Sequence, residues 1–319
     1  MPESGWRARI ISGMGTAALL GLPAYLAAQP GGGRKPPAYF DVLFQPKFIV
    51  MLGIGLLALF LLKSRRMNPR LKTALLLLST FLFGIAGNLP GALFQAFAMH
   101  PSPMCAAAKP FLFGFRIPFL ATLSVIFFLT LIGPKLFCGW VCPVGAVQEL
   151  IAMGADRLGI RRIKPRFRTS QSIRLGLFLI FLFFSVTAVL RMTANGRVFP
   201  LNIYDHINPF HGFHFEIQST WSATIFHFLP FLLTAVLAFK FYRPFCHFVC
   251  PIGLYTQALE AIGIFRVKFD RAACTDCGLC QKKSPCAALP EILKGGVLRP
   301  DCFACDICIE SCPHKALKI

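Results

Sequence analysis

The chain has 319 residues, is 55% hydrophobic with 34 Phe, and carries a formal net charge of +20. Its mean hydropathy of +0.63 excludes an ordinary soluble domain and points to an integral membrane protein. The basic residues flank apolar runs instead of gathering in one basic domain, so they read as topology signals and give nucleic-acid binding no support.

Six apolar runs approach the roughly 20 residues a membrane-spanning helix needs. They lie near 8–28, 47–63, 73–97, 111–133, 175–192 and 224–241. The first follows Arg7 and Arg9 and ends at Ala27 and Ala28. It reads as a signal peptide or as a retained helix, and its length favours the helix. The third contains GIAGNLPGAL, where Gly87, Asn88, Pro90 and Gly91 would interrupt a helix. Before the sixth run, 15 Lys and Arg fall on one side of the membrane and seven on the other. The positive-inside rule then places both termini, and the cysteine groups at 138–142, 246–250 and 274–312, on the cytoplasmic side of a bacterial inner membrane.

The fourth run leads into FCGWVCPVG, Phe137–Gly145, and the sixth into FCHFVCPIG, Phe245–Gly253. Cys138 and Cys142 thus recur in register as Cys246 and Cys250, 108 residues later. Cysteines four apart share one helical face, and Pro143 and Pro251 suit the first turn of a following helix. A surface helix is predicted after the first step, with Val144, Val147, Ile151 and Leu158 on one side. Its N-terminus would favour negative charge. If the copies meet across a pseudo-twofold, the four thiols form one site: a third iron–sulfur cluster, a Cu(I) site or a redox dithiol. His247 stands where the first copy has Gly139, which argues against a ligand role.

Eight of the 13 cysteines fall in the last 50 residues. Cys302, Cys305, Cys308 and Cys312-Pro313 reproduce the bacterial ferredoxin spacing for a 4Fe-4S cluster. A zinc site would want two separated pairs. Upstream, Cys274, Cys277 and Cys280 keep that spacing, but Cys286 is displaced, with five intervening residues. In two-cluster ferredoxins the fourth cysteine of each run serves the other cluster. The expected sets are therefore Cys274, Cys277, Cys280 with Cys312, and Cys302, Cys305, Cys308 with Cys286. A domain this small would depend on its clusters to fold.

The loop NIYDHINPFHGFHFEIQ offers His206, His211 and His214 as candidates for the edge of a quinone or haem site. Plain surface histidines are the simpler reading. Cys105 has no evident partner in sequence.

FCGWVCPVGAVQE, FCHFVCPIG and the paired ferredoxin runs together resemble the NapH/NosR group of membrane-bound polyferredoxins, with CcoG-type (RdxA/FixG) proteins more distant. The resemblance covers residues 137–150 and 245–319. It implies electron transfer between the quinone pool or a flavin and a partner redox protein. The expected fold is a polytopic α-helical membrane protein of about six spans with a small C-terminal two-cluster ferredoxin-like α+β domain. The expected division is 1–242 for the membrane domain, 243–269 for the second step and an interfacial linker, and 270–319 for the cluster domain. Expected partners are membrane lipid and other redox subunits or soluble carriers, with the chain an electron-transfer subunit more than a stand-alone oxidoreductase. Rival functions are a copper-reducing or metal-delivering maturation factor and an anchor subunit of a larger redox complex.

Overall fold

A computed structural model describes residues 38–160, 162–195, 202–213, 221–296 and 301–319. The first apolar run lies outside them. The described chain is mostly helical. Three helices are long and apolar enough to cross a membrane: α1 (Pro46–Lys63), α2 (Pro69–Thr80, continued by tighter and wider turns to Asn88) and the first 22 residues of α5 (Phe167–Asn195). Two more are apolar: α3 (Ile117–Ile132) is shorter than a full span, and α6 (Trp221–Lys240) carries Pro230 inside it.

These helices begin where local chemistry starts them. Pro46 and Pro69 open α1 and α2 with a ring that needs no N–H partner. Asn68 caps α2, its side chain accepting from Leu71 N at 2.8 Å. The α2 helix widens into a π turn at Phe81–Ile85 and tightens at Ala86–Asn88, so the expected break falls at the end of this span. Gly87 is required there: a Cβ would stand 2.6 Å from Ala98 Cα, where the chain returns. Phe60, Leu77, Phe128, Leu179, Phe183 and Leu232 are exposed on these helices. That pattern suits lipid as the surrounding solvent.

The helix after the first step, α4 (Pro143–Arg157), differs from its expected form. It is an interior helix packed against α2 and α6, with Val144, Gly145, Ala146, Gln148, Glu149, Ala152 and Ala155 buried. Leu158, placed on the apolar side from sequence, is 73% exposed. Small residues let neighbouring backbones close in, so they decide the buried face more than the large aliphatics do.

After the second step comes α7 (Ile252–Glu260). The tail is then closed by β1 (Lys268–Phe269) paired antiparallel with β2 (Leu317–Lys318). Short helical turns at Leu279–Lys283, Ala288–Leu293 and Ile307–Glu310 fill the space between.

Candidate redox centres

The two-cysteine steps meet. A π turn, Phe137–Val141, carries Cys138 and leads into Cys142, and the turn Pro244–Phe248 carries Cys246 and leads into Cys250. All four cysteines line one cavity, walled also by Phe137, Phe245, Phe210 and Phe303. Each cysteine is buried. The second cysteine of each step sits at the start of a helix and receives two backbone N–H groups. Val144 and Gly145 donate to Cys142, and Ile252 and Gly253 to Cys250. Gln148 Nε2 lies 3.4 Å from Cys246 Sγ.

Burial, then the neighbouring thiol charges, push Cys138 and Cys142 far up, and Cys250 to about 12. Burial also raises Cys246, with the Arg243 charge opposing it. Four thiolates in so apolar a chamber therefore require positive charge at its centre. The sulfur set, the apolar walls and the N–H donors aimed at sulfur fit a thiolate-held metal group.

In the tail, Cys274, Cys277, Cys280 and Cys312 line a second cavity. Asp276 (φ 53°) and Gly278 (φ 69°) are left-handed, which curls the chain around it. Asp276 N lies 3.5 Å from Cys274 Sγ and Ala316 N 3.3 Å from Cys312 Sγ. A third group joins Cys302, Cys305 and Cys308 to Cys286: after burial, the Cys286 charge is the strongest influence raising each of the three, with Cys305 reaching about 11. The displaced Cys286 thus stands with the run that ferredoxin logic assigns it, and Ser284 Oγ lies 3.3 Å from its sulfur. This third group is wholly buried, whereas Cys277 of the second is exposed. Among the described residues, no three Cys, His, Asp or Glu side chains converge on the position of a single ion.

Lys72, Lys135 and Arg174 are among the 15 basic residues that flank the apolar runs on one side. The structure buries them around the cysteines, with Arg243. Arg243 donates to Cys138 O at 2.7 Å, to Gly139 O at 3.1 Å and to Glu149 Oε2 at 3.0 Å. Arg174 Nη1 donates to Cys246 O and to Asp301 Oδ1, both at 3.1 Å. Lys72 reaches Glu149 at 2.6 Å and Cys305 O at 3.1 Å. Lys135 pairs with Asp301, and with Glu260 at 3.0 Å. One signal for two of these was present in the repeat. Lys135 and Arg243 each stand three residues before the first cysteine of a step, and both are left-handed, at φ 43° and 48°.

Burial alone would raise Glu149 and Asp301. Lys72 and Arg243 outweigh it for Glu149, and Lys135 chiefly for Asp301, so both carboxyls are held well below the usual range. Burial lowers His247 to about 4; its Nδ1 lies 3.1 Å from Arg243 O and its ring packs against Phe303. His206 is exposed, and His211 is half-buried on the turn Pro209–Phe213. His214 lies outside the described residues. Phe210, not a histidine, carries this loop to the four-cysteine cavity. Cys105 sits on the helical turn Pro103–Ala108, whose Pro103 lines the same cavity.

Comparison with known proteins gives this arrangement its context. The 4Fe-4S binding domain (Fer4_5) matches twice, over residues 115–164 and 224–271, once around each two-cysteine step. Ferredoxin-type protein NapH of Haemophilus influenzae is 29% identical over 247 residues, covering 73% of this chain and 79% of the relative. The chain is similar to ferredoxin-type membrane proteins such as NapH, and 4Fe-4S binding domains match it around both steps. Other relatives are covered less fully. Methylamine utilization ferredoxin-type protein MauN of Methylobacillus flagellatus is 26% identical, over 52% of this chain and 53% of its own length. Protein NirI of Paracoccus denitrificans is 29% identical, over 60% of this chain and 27% of its own length. No solved structure matches this chain.

Proposed function

We propose that this NapH-type membrane iron–sulfur protein transfers electrons through three cysteine-held centres arranged in series. The observation that carries the order is the place of Phe303. It is the neighbour of Cys302, and its side chain is buried in the wall of the four-cysteine cavity. Trp140, from the first step, donates to Ala304 O at 3.3 Å. The membrane-edge site and the buried tail site therefore share one packed wall. The set Cys274, Cys277, Cys280 and Cys312, of which Cys277 is exposed and none is buried, comes last, where a soluble carrier or partner subunit can reach it. Iron–sulfur centres supply one-electron exchange, and the thiolates hold them.

The twofold match of a 4Fe-4S domain to the steps supports iron over copper at the four-cysteine site. Sulfurs set back around a cavity also suit a group of several irons better than a single ion. Pro103 and Phe210, from the segments 103–108 and 209–213, also wall this cavity. A quinone, flavin or partner subunit approaching by these segments would exchange electrons with this centre first, and the tail would face the cytoplasm.

Anaerobic purification with iron counting and EPR tests the reading. The expected content is about 12 irons for three 4Fe-4S centres. A Cys138→Ser/Cys246→Ser double variant should lose one signal and about a third of the iron. Stoichiometric Cu(I) at these cysteines, with iron unchanged in the variant, would replace this reading with the metal-delivery one.

A further inference from the structure

The two steps share more than their cysteines. The carbonyl of each first cysteine accepts from a buried arginine, and each arginine is bound to a buried carboxylate. At Cys138 O the pair is Arg243 with Glu149, and at Cys246 O it is Arg174 with Asp301. The side chains of all four residues are at most 1% exposed. The glycine after each step leaves room for these partners: a Cβ on Gly145 would stand 2.2 Å from the Cys138 carbonyl oxygen that accepts from Arg243, and one on Gly253 would stand 2.2 Å from Arg174 Nη1. Lys72 and Lys135 add a second cation to the two carboxylates, so each carboxylate holds two cations.

We propose that these matched arginine–carboxylate pairs are positioning residues that set the reduction potential of the four-cysteine centre. The inference rests on reading that cavity as an iron–sulfur site. A cluster held by four thiolates is anionic, and gains a further negative charge on reduction. Its potential follows local net charge, hydrogen bonding and exposure. In a dry site a fixed cation acts over several ångströms with little screening. Four cations face Glu149, Asp301 and, beside Lys135, Glu260, so the surroundings stay biased positive and the reduced state is favoured. No cation here touches sulfur. The pairs act through the carbonyls of the ligand-bearing residues and through the field.

The sign of the effect separates this role from simple scaffolding. Arg243→Gln removes one cation while Glu149 keeps Lys72. Glu149→Gln removes one anion and leaves Lys72 and Arg243 uncompensated. The shapes are close in the second case, so folding is better preserved.

The experiment is an EPR-monitored redox titration of the full-length purified protein, with iron counted on every sample. Arg243→Gln should disfavour reduction of the four-cysteine centre about tenfold, a shift of about −59 mV for a one-electron couple. Glu149→Gln should shift it upward by a similar factor, and Arg243→Lys should return it most of the way to wild type. Shifts of the same sign in the two Gln variants at full iron content, or none, would overturn the proposal. If Arg243→Gln loses iron, Glu149→Gln and Arg174→Lys decide alone: an unchanged or lowered potential in Glu149→Gln rejects it. A wild-type protein whose signals are all retained in the Cys138→Ser/Cys246→Ser variant instead rejects the underlying iron–sulfur reading.

Discussion

Replacing Gly139 by Ala tests whether the tail is built into the membrane part or merely tethered to it. A Cβ at position 139 would stand 2.4 Å from the Phe303 carbonyl oxygen, and ordinary contact begins near 3.4 Å. The obstacle is backbone, so a rotamer change cannot relieve it, and the wall must open by about 1 Å. Overpacking of this kind costs about 1–3 kcal/mol. That cost falls on the docked state of the tail, where Trp140 Nε1 bonds Ala304 O and Phe303 fills the cavity wall. Undocking should become about 5- to 150-fold more frequent, at 1.4 kcal/mol per factor of ten. Limited proteolysis of the detergent-solubilised, anaerobically held protein reads this directly, because cleavage follows the population of the open form. Gly154→Ala is the control: a Cβ there meets nothing within 4 Å, and in a helix it should gain about 0.5–1 kcal/mol. Tail cleavage in Gly139→Ala as slow as in wild type would refute the idea that this contact holds the tail.

Three further outcomes follow from the same packing. Gly145→Ala puts a Cβ 2.2 Å from Cys138 O and should reduce iron at the four-cysteine site; Gly253→Ala meets the end of the Arg174 side chain and should cost less, as iron content per chain would report. Trp140→Phe removes a donor from the buried Ala304 carbonyl and should lower stability by about 1–2 kcal/mol in a denaturation series. Burial raises Glu260 from 4.5 to about 7, with Lys135 opposing and Asp301 adding to the rise. A raised carboxyl favours folding below its unfolded pKa, and that contribution is lost as pH climbs through about 7. The loss is about 3 kcal/mol at 1.36 kcal/mol per unit. Facing Lys135, Asp301 and Arg174, the Glu260→Gln variant should lose this slope between pH 4.5 and about 7, measured against wild type in matched buffers.

What the sequence made legible depended on the range of the cause. Spans such as 47–63 were readable because hydropathy is local, and α1 runs from Pro46 to Lys63. The grouping of Cys286 with Cys302, Cys305 and Cys308 followed from a spacing rule, despite the two-residue displacement. The inner face of α4 was not readable, because its partners α2 and α6 come from distant segments and select small residues, not large ones. The buried cations were hardest. Lys72 and Arg174 look like membrane-edge signals, and nothing within their own segments announces Glu149 or Asp301, 77 and 127 residues away. Only the repeat held a trace of this, in the matched positions of Lys135 and Arg243. Lipid-facing side chains, by contrast, need no partner, and so their pattern is visible in any window.

Phe303 has a consequence for the order of assembly. It follows Cys138 by 165 residues in the chain, yet it completes the wall around that cysteine. A growing chain makes Cys138, Cys142, Cys246 and Cys250 before Phe303, and until the tail seats itself the chamber lacks that side of its wall. The part of the chain that closes the chamber is thus made after all four cysteines that line it.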